Sequence, residues 1–122
     1  MPKNEVKERS MDFALRIVKL YQYLCREKNE YVISRQVLKS GTAIGALVRE
    51  AEFGESKADF VHKMSIALKE ANETEYWLIL LVRSSYLTDK QFDDIGKDID
   101  ILVKLLVSIV KTGRGNMRKD EG

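Results

Sequence analysis

"SKADFVHKMSIALKEANETEYWLILL", residues 56–81, places Phe60, Met64, Ala67, Ala71, Thr74, Leu78 and Leu81 at spacings that alternate between four and three. Such alternation keeps one face of a 3.6-residue helix apolar along its length, and a strand period of two does not fit it. Ser56 followed by Asp59 resembles a capping box with a shortened acid. The spacing predicts a helix of about 30 residues, roughly 45 Å long, from Ser56 to near Ser85. A helix of that length with a single apolar face needs partners of comparable length.

The flanking sequence supplies three. Phe13, Ile17, Leu20 and Leu24 predict a first helix from about Ser10 to Arg26, and "EKNEY" breaks its pattern. Val37, Gly41, Ile44, Val48 and Ala51 predict a second from near Ser34, closed at Phe53-Gly54 with Gly54 in the left-handed conformation. Thr88 and Gln91 form a capping box for a fourth, whose seam is Ile95, Ile99, Leu102, Leu106 and Ile109 and whose stop is Gly113. Four amphipathic helices with short connections predict an all-α protein, an antiparallel up-down four-helix bundle over residues 10–113. Residues 1–9 and 114–122 are expected to be flexible ends.

A chain of 122 residues suits one domain, and its one proline, Pro2, lies outside the predicted helices. The longest apolar run, Trp77–Val82, is too short to span a membrane, and the N-terminus lacks an apolar signal core. A cytoplasmic protein without a membrane partner is expected. Cys25 is the sole cysteine, so no intramolecular disulfide forms, and its setting in "YQYLCRE" reads as packing.

Two glycines inside the second helix, Gly41 and Gly45, each cost about 0.5–1 kcal/mol relative to alanine. Ala67 and Ala71 of the third helix offer a matching small surface, so a close crossing at these four residues is expected. A phosphate-cradling loop does not fit "SGTAIG": no Lys-Ser/Thr follows it and no strand precedes it.

Catalytic and metal motifs are weak. Asp59 and His62 stand at i, i+3, but one histidine excludes a symmetric di-metal bundle site within a monomer. Glu70, Glu73 and Glu75 fit a solvated helix face with i, i+4 partners such as Lys69–Glu73, although Glu75 and Asn72 border the apolar stripe. No catalytic residue, metal or cofactor is expected. The basic positions point further. Arg16, Lys19, Tyr23 and Arg26 share one face of the first helix, and Arg35, Lys39 and Arg49 one face of the second. Cations interleaved with a tyrosine suit a phosphate backbone and a stacking base. Charge is uneven along the chain: residues 1–50 carry 10 Lys/Arg against 6 Asp/Glu, residues 51–103 carry 6 against 11, and residues 104–122 carry 5 against 2.

"ALRIVKLYQYL" (14–24), "SRQVLKSGTAIGALVREAE" (34–52) and the stretch at 56–81 resemble the bacterial 23S rRNA intervening-sequence proteins, by motif over residues 10–86 and by layout to about 112. Leu47 departs from the family pattern, which has a polar residue, often asparagine, after "IGA". The resemblance implies a helical bundle assembled as a homopentamer, with no established enzymatic activity. It also implies a fold similar to the accessory variability protein of diversity-generating retroelements, a basic pentameric barrel that binds nucleic acid and a reverse transcriptase. The function expected is that of a non-enzymatic, homo-oligomeric bundle binding RNA through basic helix faces. The competing expectation is an assembly module without nucleic-acid binding.

Overall fold

Val6, Ser10, Phe13, Ile17 and Leu24 form a continuous buried seam on the first helix, which therefore begins well before the predicted Ser10. In the computed structural model, which describes the backbone of residues 2–121 and the side chains of residues 5–119, four helices follow one another: α1 (Pro2–Lys28), α2 (Ile33–Glu52), α3 (Lys57–Arg83) and α4 (Asp89–Glu121). The boundary expected at Ser10 falls inside α1 because a small polar residue, Ser10, occupies a seam position and hides the continuation to Val6. Residues 1 and 122 of the ends expected to be flexible lie outside the described residues.

The predicted stripes form the core, except that Leu20 and Phe60 are half-buried at its edge and Val61 is buried beside Phe60. Val37, Gly41, Ile44, Val48 and Ala51 are buried on α2, and Met64, Ala67, Ala71, Thr74, Leu78 and Leu81 on α3. On α4, Ile95, Ile99, Leu102 and Leu106 are buried and the seam passes to Val110 in place of Ile109. Each helix packs on the next and α4 returns to α1, so the four close a ring around the core; α2–α3 is the most extensive pairing and α1–α4 the least. Lys7 reaches Glu52 at one end of α1–α2 while Cys25 meets Ser34 at the other, so these two helices run antiparallel.

Two glycines do not end helices as expected. Gly54 has no positive φ; a Cβ there would lie 3.0 Å from Asp59 Oδ2 and 3.1 Å from the Ala51 carbonyl, so close approach selects it. Gly113 sits inside α4, where a Cβ would lie 2.5 Å from Val61 Cγ2 of α3. Its missing side chain lets α4 pass α3 and continue. The α2 glycines face α1, not α3: a Cβ on Gly41 would lie 2.8 Å from Ile17 Cγ1, and one on Gly45 3.4 Å from the Ser10 carbonyl. The α2–α3 contact instead carries a buried hydrogen bond from Thr74 Oγ1 to Ser40 Oγ, 2.9 Å. Ala67 and Ala71 are fully buried in the common core. Helical register explains the split, since Ser40 and Gly41 point about 100° apart.

Helix starts follow local chemistry. Ser56 Oγ accepts the Asp59 N–H at 3.0 Å, and Thr88 and Gln91 exchange both bonds of a capping box. At α2 the capping position holds Val32, which has no side-chain acceptor.

Candidate nucleic-acid interface

The turn between α1 and α2 is organised by Glu30. Asn29 takes a left-handed conformation (φ 52°) after the last residue of α1, and the Glu30 N–H bonds back to the Leu24 carbonyl. The Glu30 side chain is thereby turned under the start of α2. Its carboxylate accepts the N–H groups of Val32 (3.1 Å), Ile33 (3.0 Å) and Ser34 (2.6 Å), and Ser34 Oγ bonds the Glu30 carbonyl. Burial pushes the Glu30 carboxyl up, but the N–H bonds outweigh it and hold it below its ordinary value. An acidic residue is thus spent on the backbone within a basic turn. No local spacing in "EKNEY" signals this, because the bonds require the turn itself.

The seven residues expected to contact nucleic acid separate into three groups. Arg16 bridges α1 to α4, bonding Asp94 Oδ2 at 2.6 Å and also Asp98. Its guanidinium is held above the usual arginine value, chiefly by the bond to Asp98, although partial burial works against this. Arg16 therefore closes the sparse α1–α4 seam rather than presenting a free cation. Lys19 and Tyr23 line a groove with Arg16 and with Leu87, Gln91 and Asp94 at the start of α4, while Arg26, Arg35 and Lys39 lie toward the α1–α2 turn; the four cations are exposed and Tyr23 is half-buried. Among the described residues, none of those four forms an ion pair. Lys39 acts electrostatically on Glu70 of α3, whose carboxyl is raised by burial and then by Glu73, against the pull of Lys39 and Lys69. Arg49 stands apart, in a groove with Lys7, Glu8, Met11 and Asp12 near the other end of the hairpin.

Tyr31, which no spacing in the sequence marks, is exposed in the same turn, its hydroxyl donating to Asn29 Oδ1 at 3.2 Å. His62 and Asn72 are exposed, Glu75 is half-buried, and Glu73 accepts the Trp77 indole N–H at 3.3 Å. Among the described residues no three His, Cys, Asp or Glu side chains converge as metal ligands would. None of the described helices is long and apolar enough to cross a membrane. Along the outer side of α1, Met11, Leu15 and Val18 are exposed at 56, 56 and 38% and form one apolar strip.

A family model described as 23S rRNA-intervening sequence protein matches residues 2–108. The chain belongs to this family. Its match starts where α1 starts, including the residues before Ser10. Similar to this intervening-sequence protein is a crystal structure, at 1.70 Å, of a protein with unknown function from the S23 ribosomal protein family of Bacteroides thetaiotaomicron VPI-5482. The two are 55% identical with a TM-score of 0.90, over 91% of this chain and 99% of that one. Among curated proteins, none matches.

Proposed function

We propose that this intervening-sequence protein is a non-enzymatic, cytoplasmic, self-assembling bundle that binds RNA at the basic end of its α1–α2 hairpin. The observation that carries the reading is the turn and the α1 face leading into it: Lys19, Arg26, Arg35 and Lys39 have no ion-pair partner among the described residues, while Glu30 is withdrawn into the backbone. Unpaired cations gain from phosphates by releasing counterions, and Tyr31 adds a stacking face. A formal net charge of only +2 makes single-copy binding weak. Self-assembly through the α1 strip would repeat the basic end several times on one particle and raise avidity. The family resemblance sets the expected number of copies at five.

The same strip favours the second reading, assembly without RNA. A filter-binding titration with a structured RNA at two salt concentrations separates them. RNA binding is expected to weaken steeply with salt, and Arg35→Gln to make the log–log slope shallower by about 0.9. Absence of binding at low salt removes the RNA reading and leaves the assembly module.

A further inference from the structure

The fourth helix changes sign along its length. Residues 89–100 hold five aspartates against Lys90 and Lys97, whereas residues 101–119 hold Lys104, Lys111, Arg114, Arg118 and Lys119 and no acid before the terminal Asp120 and Glu121. The helix macrodipole favours cations near a C-terminus, but its influence fades within the last turn. Lys104 and Lys111 lie further back than that, so the dipole does not account for them.

Lys104, Lys111 and Arg118 recur every seven residues and keep to one side of α4, all exposed. Lys104 is tied to Asp100 at 3.0 Å and Arg114 reaches Ser65 Oγ at 3.4 Å. Lys111, Arg118 and Lys119 form no ion pair among the described residues. Gly115 lies on the same side between Lys111 and Arg118, and a Cβ there would meet nothing within 4 Å. Packing therefore does not require that glycine, unlike Gly113; what it leaves is a flat place where a ligand can approach the helix backbone. Ser108 completes the side, with no exposed large apolar residue between Lys104 and Lys119. A membrane surface would call for apolar anchors beside the cations, whereas a phosphate chain needs only the cations and room.

We infer that this side of α4 is a second phosphate-binding surface for the same RNA, an inference that rests on the RNA reading above. Val61 of α3 packs against Gly113, which puts the α4 surface at the end of the bundle remote from the α1–α2 turn. The 20-residue α2 spans about 30 Å between those ends. One RNA long enough to cover that distance engages both surfaces, and a shorter one engages either alone.

The test compares a hairpin RNA shorter than the span with one well beyond it, by fluorescence anisotropy, on the wild-type chain and on Lys111→Glu/Arg118→Glu. Both positions are exposed, and circular dichroism checks that the fold persists. The wild type is expected to bind the longer RNA at least tenfold more tightly, and the double variant to lose that gain, with a salt slope shallower by about 2. The neutral pair Lys111→Gln/Arg118→Gln is expected to lose most of it as well. Equal binding of the long RNA by wild type and double variant overturns the α4 surface and leaves the α1–α2 reading standing. No binding of either RNA by the wild type overturns both, and preference for anionic vesicles over RNA overturns the choice of partner.

Discussion

At the scale of single residues, Gly41 and Gly45 look alike in the sequence and differ in what surrounds them. A methyl group on Gly41 would press into Ile17 at 2.8 and 2.9 Å, whereas one on Gly45 would rest 3.4 Å from Ser10. Overpacking costs about 1–3 kcal/mol, while replacing a helical glycine by alanine gains up to about 1 kcal/mol in propensity. Gly41→Ala is therefore expected to lower the urea midpoint and Gly45→Ala to leave it unchanged or raise it. Adding Ile17→Ala to Gly41→Ala should recover part of the overpacking strain, so that the pair is less destabilised than the sum of the two single changes. Equal shifts for the two glycine variants would falsify the assignment of the close approach to Gly41. The four-residue spacing announces that something small is needed on α2, but not that the neighbour is α1, because periodicity fixes a face and leaves the order of helices around the core open.

At the scale of elements, the seams were legible and the caps only where they were local. Met64 to Leu81 on α3 is buried as its 4-3 spacing predicts, and the Thr88–Gln91 box forms as written. Glu30 was not legible. It caps α2 from outside the helix, and only the left-handed Asn29 brings its carboxylate beneath three N–H groups. Its carboxyl lies lower in the folded chain than in the unfolded one, so the folded state binds this proton less readily. The cap's contribution is then fully present above the unfolded carboxyl's value and is lost as pH falls through the lower folded value. Glu30→Gln, which cannot accept at both side-chain positions, is expected to cost about 2 kcal/mol at neutral pH. The gap between the variant and wild type should narrow as pH falls below the ordinary carboxylate range, in thermal melts followed by circular dichroism. A gap that stays constant into acid would show that the carboxylate charge is not what caps α2.

At the scale of the whole molecule, the basic faces drawn on each helix were only half of what decides an interface. Arg16 shares its face with Lys19 and Arg26, yet it is taken up by Asp94 and Asp98, some 80 positions away, which no pattern within α1 reveals. The outer side of α1 poses the complementary case. Met11, Leu15 and Val18 repeat at four and three like a core seam, but the bundle is already closed without them. An apolar strip continuous along a helix, unlike scattered exposed residues, is a candidate contact with another protein surface. If that surface belongs to a second copy, charging the strip removes the contact and leaves the core untouched. Met11→Glu/Leu15→Glu is expected to melt as a monomer would, with an unchanged circular dichroism spectrum, and to elute at the monomer mass in size-exclusion chromatography with light scattering. The wild type is expected to give a multiple of that mass. Because the interface would hold several basic ends on one particle, the same variant should also bind RNA more weakly while retaining every cation. A variant with wild-type mass would move assembly off α1, and a dissociated variant with undiminished RNA affinity would separate assembly from binding.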